Sequence, residues 1–175
     1  CYQVVDPAGA RNFTAIWAAV DKNGYVYIRR EWPDRDTYGE WAMFGDPKWK
    51  LGPATKKLGL NVEGYAELFQ EIEDDLGIDV FERIGDSRYF ARENDNNEDL
   101  FMLFDEYGML FHPSDGRMEE LGISAVDEWF TYNPNEPIDA VNRPMCYIHR
   151  ECGNLIDSLL NYNSQGKADE AIKAY

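Results

Sequence analysis

The sequence predicts an α/β domain on a mixed sheet: three antiparallel strands, then helix–strand crossovers, with helices on both faces. Three observations carry this. The runs Phe13 to Val20 and Tyr25 to Trp32 are rich in β-branched and aromatic residues, and Asp21-Lys22-Asn23-Gly24 joins them. Asn-Gly between such runs is a strong hairpin signal. From Val62 to Leu76 the apolar positions Tyr65, Leu68, Phe69, Ile72 and Leu76 fall at helical spacing, and a strand ending near Asp86 follows at once. The order helix, short loop, strand fits a crossover onto a parallel strand.

The elements follow in order. Val4 and Val5 belong to a short first strand, and the two hairpin runs are the second and third. Residues 33–60 are broken by Pro33, Asp34, Asp36, Gly39, Gly45, Pro47, Gly52, Pro53 and Gly59 but also hold Trp41, Phe44 and Trp49, so they read as a long loop that packs its own aromatics. The same stretch carries Lys48, Lys50, Lys56 and Lys57, the densest basic cluster in the chain. It is either a solvated face or a phosphate contact. Asn61 is a plausible N-cap and Gly77 a C-terminal stop for the helix between them. Residues 92–99 (RENDNNED) are polar loop, and Leu100 to Phe104 fits helix or strand. Met109 to Pro113 is a short strand, Met118 to Trp129 a helix, and residues 132–144 an Asn/Pro-rich loop. Met145 to His149 is a last strand, Glu151 to Tyr162 a helix, and Lys167 to Tyr175 the start of another.

Bulk composition narrows the class. At 175 residues, with 44% hydrophobic and 14% aromatic content, residues 1–175 are most simply one domain with a real core. No apolar run approaches the roughly 20 residues of a membrane span, and no signal peptide is visible. The chain starts at Cys1 rather than Met, which suggests a piece of something longer. Three cysteines without C-x-x-C spacing indicate neither a disulfide framework nor a zinc site, so a reducing setting is expected. Only His112 and His149 are available, which leaves little room for a histidine metal centre or a Ser-His-Asp relay. The net charge of −16 counts against a stand-alone nucleic-acid binder, because phosphate neutralisation supplies most non-specific affinity.

Two acids stand out. Tyr2-Gln3-Val4-Val5 stops at Asp6, and Val80-Phe81-Glu82-Arg83-Ile84-Gly85 stops at Asp86. Each either starts a turn or caps a helix, or sits on rigid backbone at the rim of the sheet where a ligand can reach it. Two such strands side by side bring Asp6 and Asp86 together. Like charges that close need a cation or a proton between them, which points to a divalent metal site. Glu31, Asp34 and Asp36, at the exit of the third strand, read as loop charges that could approach the site.

In this order the residues resemble the ribonuclease-H-like nucleases. Val5-Asp6-Pro7-Ala8 with Thr14-Ala15-Ile16 is similar to the opening of the nuclease domain of the large terminase subunit of tailed bacteriophages. Gly85-Asp86-Ser87 resembles that family's second acidic motif, and Arg143 to Ile148 through Cys152-Gly153-Asn154-Leu155-Ile156 the segment before its last helix. The resemblance implies a metal-dependent endonuclease that cuts concatemeric double-stranded viral DNA with two Mg²⁺ or Mn²⁺ ions. It implies Asp6 and Asp86 as the first two metal-binding and catalytic acids. The third corresponds to Asp169 or Glu170, or lies past Tyr175, since Lys167 to Tyr175 matches the family's Lys-Asp-x-x-Asp-x-x-Arg-Tyr helix poorly. It further implies DNA contact by the Lys48, Lys50, Lys56 and Lys57 cluster and work in the host cytoplasm. The implied partners are the terminase ATPase domain, the small terminase subunit and the portal protein. No G-x-x-x-x-G-K-[ST] occurs, so the ATPase motor half is absent from this chain. The competing readings are a non-catalytic docking module for a basic partner and another ribonuclease-H-like nuclease such as a junction resolvase.

Overall fold

The computed structural model describes residues 1–7, 12–41, 58–87, 100–114 and 119–160. Within them lie six strands: β1 (Tyr2–Asp6), β2 (Thr14–Val20), β3 (Val26–Trp32), β4 (Glu82–Gly85), β5 (Phe111–Pro113) and β6 (Cys146–Ile148). Five helices accompany them: α1 (Arg35–Tyr38), α2 (Val62–Leu76), α3 (Leu100–Asp105), α4 (Glu119–Phe130) and α5 (Gly153–Leu160). The strands form one mixed sheet in the order β5-β4-β1-β2-β3-β6. The chain is thus α/β. No helix among the described residues is long and apolar enough to cross a membrane.

The antiparallel meander forms as its turn chemistry dictates. The Asp21 carboxylate accepts from the backbone N–H of Asn23 and of Tyr25, and Gly24 takes the positive φ of 86° that closes the hairpin. β2 then pairs with both β1 and β3, with a bulge between Trp17 and Ala18. α2 begins where the Asn61 side chain accepts from Gly64 N–H and ends at Gly77 in the left-handed region. It returns the chain so that β4 lies parallel to β1, and β5 then lies parallel to β4. β6 adds in parallel to the outer side of β3. The ambiguous stretch 100–104 is helical, and residues 33–41 contain the one-turn helix α1 inside the expected loop. The Lys48, Lys50, Lys56 and Lys57 cluster and Asp169 with its neighbours lie outside the described residues.

The larger core lies between the sheet and α2 with α3. Trp17, Phe69, Phe104 and Phe111 are completely buried there. Phe69 meets Trp17 edge-on and stacks with Phe104, and Phe13 stacks on Tyr65 at 4.1 Å between centroids. Burial of each such ring contributes about 1.5–3 kcal/mol. On the opposite face a smaller core joins Ala18, Val26, Ile28, Cys146 and Cys152 to Phe130 of α4 and Leu155 of α5. The three cysteines are free, and burial pushes the thiols of Cys146 and Cys152 up to about 11.

One polar group sits inside the larger core. Gln3 stands opposite Trp17 on β2 and opposite Arg83 on β4, so the three form a row across three strands. Above that row, Glu73 of α2 is almost fully buried. Its carboxylate receives both arms of the Arg83 guanidinium (2.5 Å at Oε1 and 2.7 Å at Oε2) and the Trp17 indole N–H at 3.0 Å. Arg83 also donates to the Gln3 amide oxygen. Removing one partner of a buried pair strands the other charge in low dielectric. Arg83→Met is therefore expected to destabilise the fold by about 3–5 kcal/mol. Glu73→Leu combined with Arg83→Met is expected to lose less than the sum of the two single changes, read from urea unfolding midpoints.

Candidate functional site

The register places the two acids. β1 and β4 are parallel, and their last aligned residues are Val5 and Gly85. Asp6 and Asp86 each come one residue later, so they leave the same end of neighbouring strands about 5 Å apart in backbone. Alternation sets the face of Asp6. Gln3 and Val5 are buried against α2, whereas Val4 and Asp6 are exposed on the other side. Ile84 aligns with Val4 on that side, and Asp86, half-buried, follows the last residue of β4 and precedes a helical Ser87. The register thus brings the backbone of the two acids to the same end of neighbouring strands.

The same row extends across two more strands. Asp6 aligns with Thr14 of β2. On the far side Gly85 aligns with Pro113, so Ser114 falls beside Asp86. Two hydrogen bonds hold it there: Ser114 N–H donates to Gly85 O at 2.7 Å, and Ser87 N–H donates to the Ser114 hydroxyl at 3.3 Å. One row below, His112 aligns with Ile84 and is exposed. Sequence alone does not point to Ser114, gives Thr14 only as part of the Thr14-Ala15-Ile16 motif, and gives His112 only as one of two histidines. A lone Thr, Ser or His carries no periodic signal, and only strand order brings them beside the acids.

A carboxylate rim of this kind supplies hard oxygen donors suited to Mg²⁺ or Mn²⁺. Among the described residues no group of three or more His, Cys, Asp or Glu side chains could hold a metal ion. Asp6 and Asp86 are two carboxylates and do not by themselves make such a group, and Asp169 lies outside the described residues.

The acids at the exit of β3 do other work, and Glu31 corrects the loop-charge expectation. It belongs to β3 and is 1% exposed. Its two carboxylate oxygens accept from the backbone N–H of Asn154 (3.0 Å) and of Leu155 (2.8 Å), in the first turn of α5. They satisfy two of the donors every helix start leaves open, and the negative charge suits the positive end of the helix. Asn154 continues the tie. Its side-chain amide donates to Pro33 O and Gly39 O and its oxygen accepts from Trp41 N–H. α5 is thereby fastened to the stretch after β3. Asp34 caps α1 by accepting from Thr37 N–H, and Asp36 sits in that helix's first turn.

Burial pushes the Glu31 carboxyl above its usual range, outweighing the hydrogen bonds from Leu155, Asn154 and Arg35 that lower it. With its folded value raised, Glu31 adds stability that is complete below the unfolded value of about 4.3 and is lost as pH rises through the folded value. Glu31→Gln cannot titrate. The stability lead of the native chain over this variant is therefore expected to be largest near pH 4 and to shrink toward pH 7. Paired urea titrations across that range measure it.

A scan against protein-family models finds no match, and searches of curated proteins and of solved structures find no relative of this chain.

Proposed function

We propose that this chain is a metal-dependent DNA endonuclease domain of the ribonuclease-H-like kind, similar to the nuclease part of a phage terminase large subunit. The observation that carries the proposal is the pairing of Asp6 and Asp86 at the ends of adjacent parallel strands, next to an antiparallel meander. That pairing is what the motif order in the sequence anticipates. The substrate is concatemeric double-stranded DNA, and the Lys48, Lys50, Lys56 and Lys57 cluster is its proposed phosphate contact.

In this reading Asp6 and Asp86, with Asp169 as the third acid, hold Mg²⁺ or Mn²⁺. The bound ion supplies a nucleophilic water at neutral pH and neutralises charge on the phosphate. The chain's own contribution is positional. The strands fix the two carboxylates one strand spacing apart, and Thr14 and Ser114 flank them with hydroxyls able to orient water or a phosphate oxygen. The backbone at the rim is tied by the Ser114 and Ser87 hydrogen bonds, so the spacing does not have to be organised when substrate arrives.

A docking role without catalysis is the second reading. It is favoured by the net charge of −16, which suits a basic partner such as a motor domain or portal protein.

Two measurements separate them. Supercoiled plasmid incubated with the protein and Mn²⁺ is expected to be relaxed and linearised, with EDTA abolishing the reaction. Asp6→Asn and Asp86→Asn are each expected to lower the rate by at least about 100-fold, the scale of losing a metal-positioning group. Equal cutting by the native chain and both variants would reject the nuclease reading. Independently, Mn²⁺ at ten times its Kd stabilises a protein by about 1.4 kcal/mol. That is a rise of roughly 3–5 °C in Tm for a domain of this size, expected for the native chain and lost in Asp6→Asn. No metal response in any of the three proteins would favour the docking role.

A further inference from the structure

At the other end of the sheet β3 and β6 carry a surface that differs from the acidic faces of the other described residues. Tyr27 and Tyr147 are aligned neighbours on these strands. Val26, Ile28 and Cys146 point into the smaller core, so the two tyrosines stand on the opposite face. Their rings stack at 5.5 Å with 13° between planes, and each remains 37% exposed. Beside them Arg143 lies 4.0 Å from the centre of the Tyr25 ring, and its Nε–H donates to the Tyr25 hydroxyl at 2.6 Å. The guanidinium is also within electrostatic reach of Tyr27 and Tyr147. Its two terminal amino groups have no partner among the described residues, so a fixed cation presents a free fork.

Local charge agrees. The whole chain has 33 acidic against 17 basic side chains. Yet residues 21–32 and 143–151 bring Lys22, Arg29, Arg30, Arg143 and Arg150 together with only Asp21, Glu31 and Glu151. Of these acids Glu31 is buried at the start of α5, and Asp21 is engaged in the hairpin turn. Among the described residues none of the five cations forms an ion pair. The adjoining loop is rigidly built. The Asn142 side chain donates to Asn133 O and Pro137 O and accepts from Asn133 N–H, while Asp139 receives Val141 and Asn142 N–H.

We propose that this β3–β6 margin binds single-stranded nucleic acid, with the fixed Arg143 fork taking a phosphate and the Tyr27–Tyr147 pair stacking against bases. Exposed aromatics beside unpaired arginines are the combination that recognises unpaired strands. Residues 14 to 19 of β2 separate the level of Asp6 from that of Tyr27, so the contact lies roughly 20 Å from the carboxylate rim. It does not depend on Asp6 or Asp86 binding metal. The exposed Ile138 and Val141 nearby suit a protein partner instead, and the test includes that outcome.

Fluorescence anisotropy of a labelled oligothymidylate of about 20 nucleotides, titrated in EDTA at low ionic strength, reads the contact with no cleavage involved. The native chain is expected to bind, with affinity falling as salt rises. Tyr27→Ser and Tyr147→Ser are each expected to weaken binding roughly five- to 100-fold. Arg143→Gln is expected to weaken it and to flatten the salt slope by about 0.7. Since Arg143 also packs on Tyr25, the tyrosine variants with unchanged urea unfolding keep the test decisive. Equal binding by the native chain and the tyrosine variants overturns the proposal, as does absence of binding by the native chain. A duplex of the same length held as tightly as the single strand overturns the stacking. Self-association lost on Tyr27→Ser, with oligonucleotide binding unchanged, assigns the surface to a protein contact and also overturns it.

Discussion

The buried Glu73–Arg83 pair is the constraint on which the rest of the structure depends. It is made by the crossover helix α2 and the strand that helix delivers, β4. Gln3 on β1 and Trp17 on β2 join the same carboxylate–guanidinium group, so four elements share one polar cluster under the aromatic core. A slip of β4 by one residue would turn Arg83 to the other face of the sheet. The guanidinium would leave Glu73, and the carboxylate would stay behind in an apolar interior. A buried pair of this sort adds little net stability compared with a well-packed apolar pair, but its loss is expensive when only one partner is misplaced. Its value here is register. The same register that aligns Gln3 with Arg83 aligns Val5 with Gly85, and so sends Asp6 and Asp86 out of the sheet side by side.

A second tie works on the other face. Glu31 satisfies the first turn of α5, and Asn154 binds that turn to Pro33, Gly39 and Trp41. The bond is short-ranged in space but spans more than a hundred residues of sequence. It fixes the direction in which α5 leaves the sheet, and α5 leads into the segment that holds Asp169. Glu73 and Glu31 are both buried acids, yet they are stabilised differently. One has a guanidinium partner. The other relies on backbone N–H groups at a helix start, where burial still raises its carboxyl above the ordinary range.

Much of the scaffold was legible in the sequence because its signals are local. The Asn-Gly hairpin, the helix from Asn61 to Gly77 and the parallel return to β4 each follow from spacing or turn chemistry within a few residues. Asp6 and Asp86 were legible for the same reason: each ends an apolar run. The stretch 100–104 stayed ambiguous because five apolar residues fit either period, and packing of Phe104 against Phe69 and Phe111 decides for helix. What sequence could not supply was long-range. Glu31 looks like one more acid near a turn until β3 and α5 are brought together. Arg83 looks like an exposed strand residue until α2 covers it. Thr14 and Ser114 enter the rim only through strand order.

The distribution of charge, rather than its sum, governs what such a chain can hold. The outer face of α2 carries Glu63, Glu67, Glu71, Asp74 and Asp75, all exposed, with no basic residue in the helix. Like charges at this spacing slightly weaken a helix, so α2 depends on its buried side, Tyr65, Phe69 and Ile72, for its order. A polyanion is repelled from that surface. Among the described residues two other surfaces stand apart from it: the carboxylate rim, where an added cation would reverse the local field, and the β3–β6 margin, where arginines outnumber free acids without one. A net charge of −16 is therefore compatible with nucleic-acid contact provided the strand is steered to these places and kept off the helix. Such exclusion narrows the orientations a bound strand can adopt, and orientation is what the proposed nuclease reading requires.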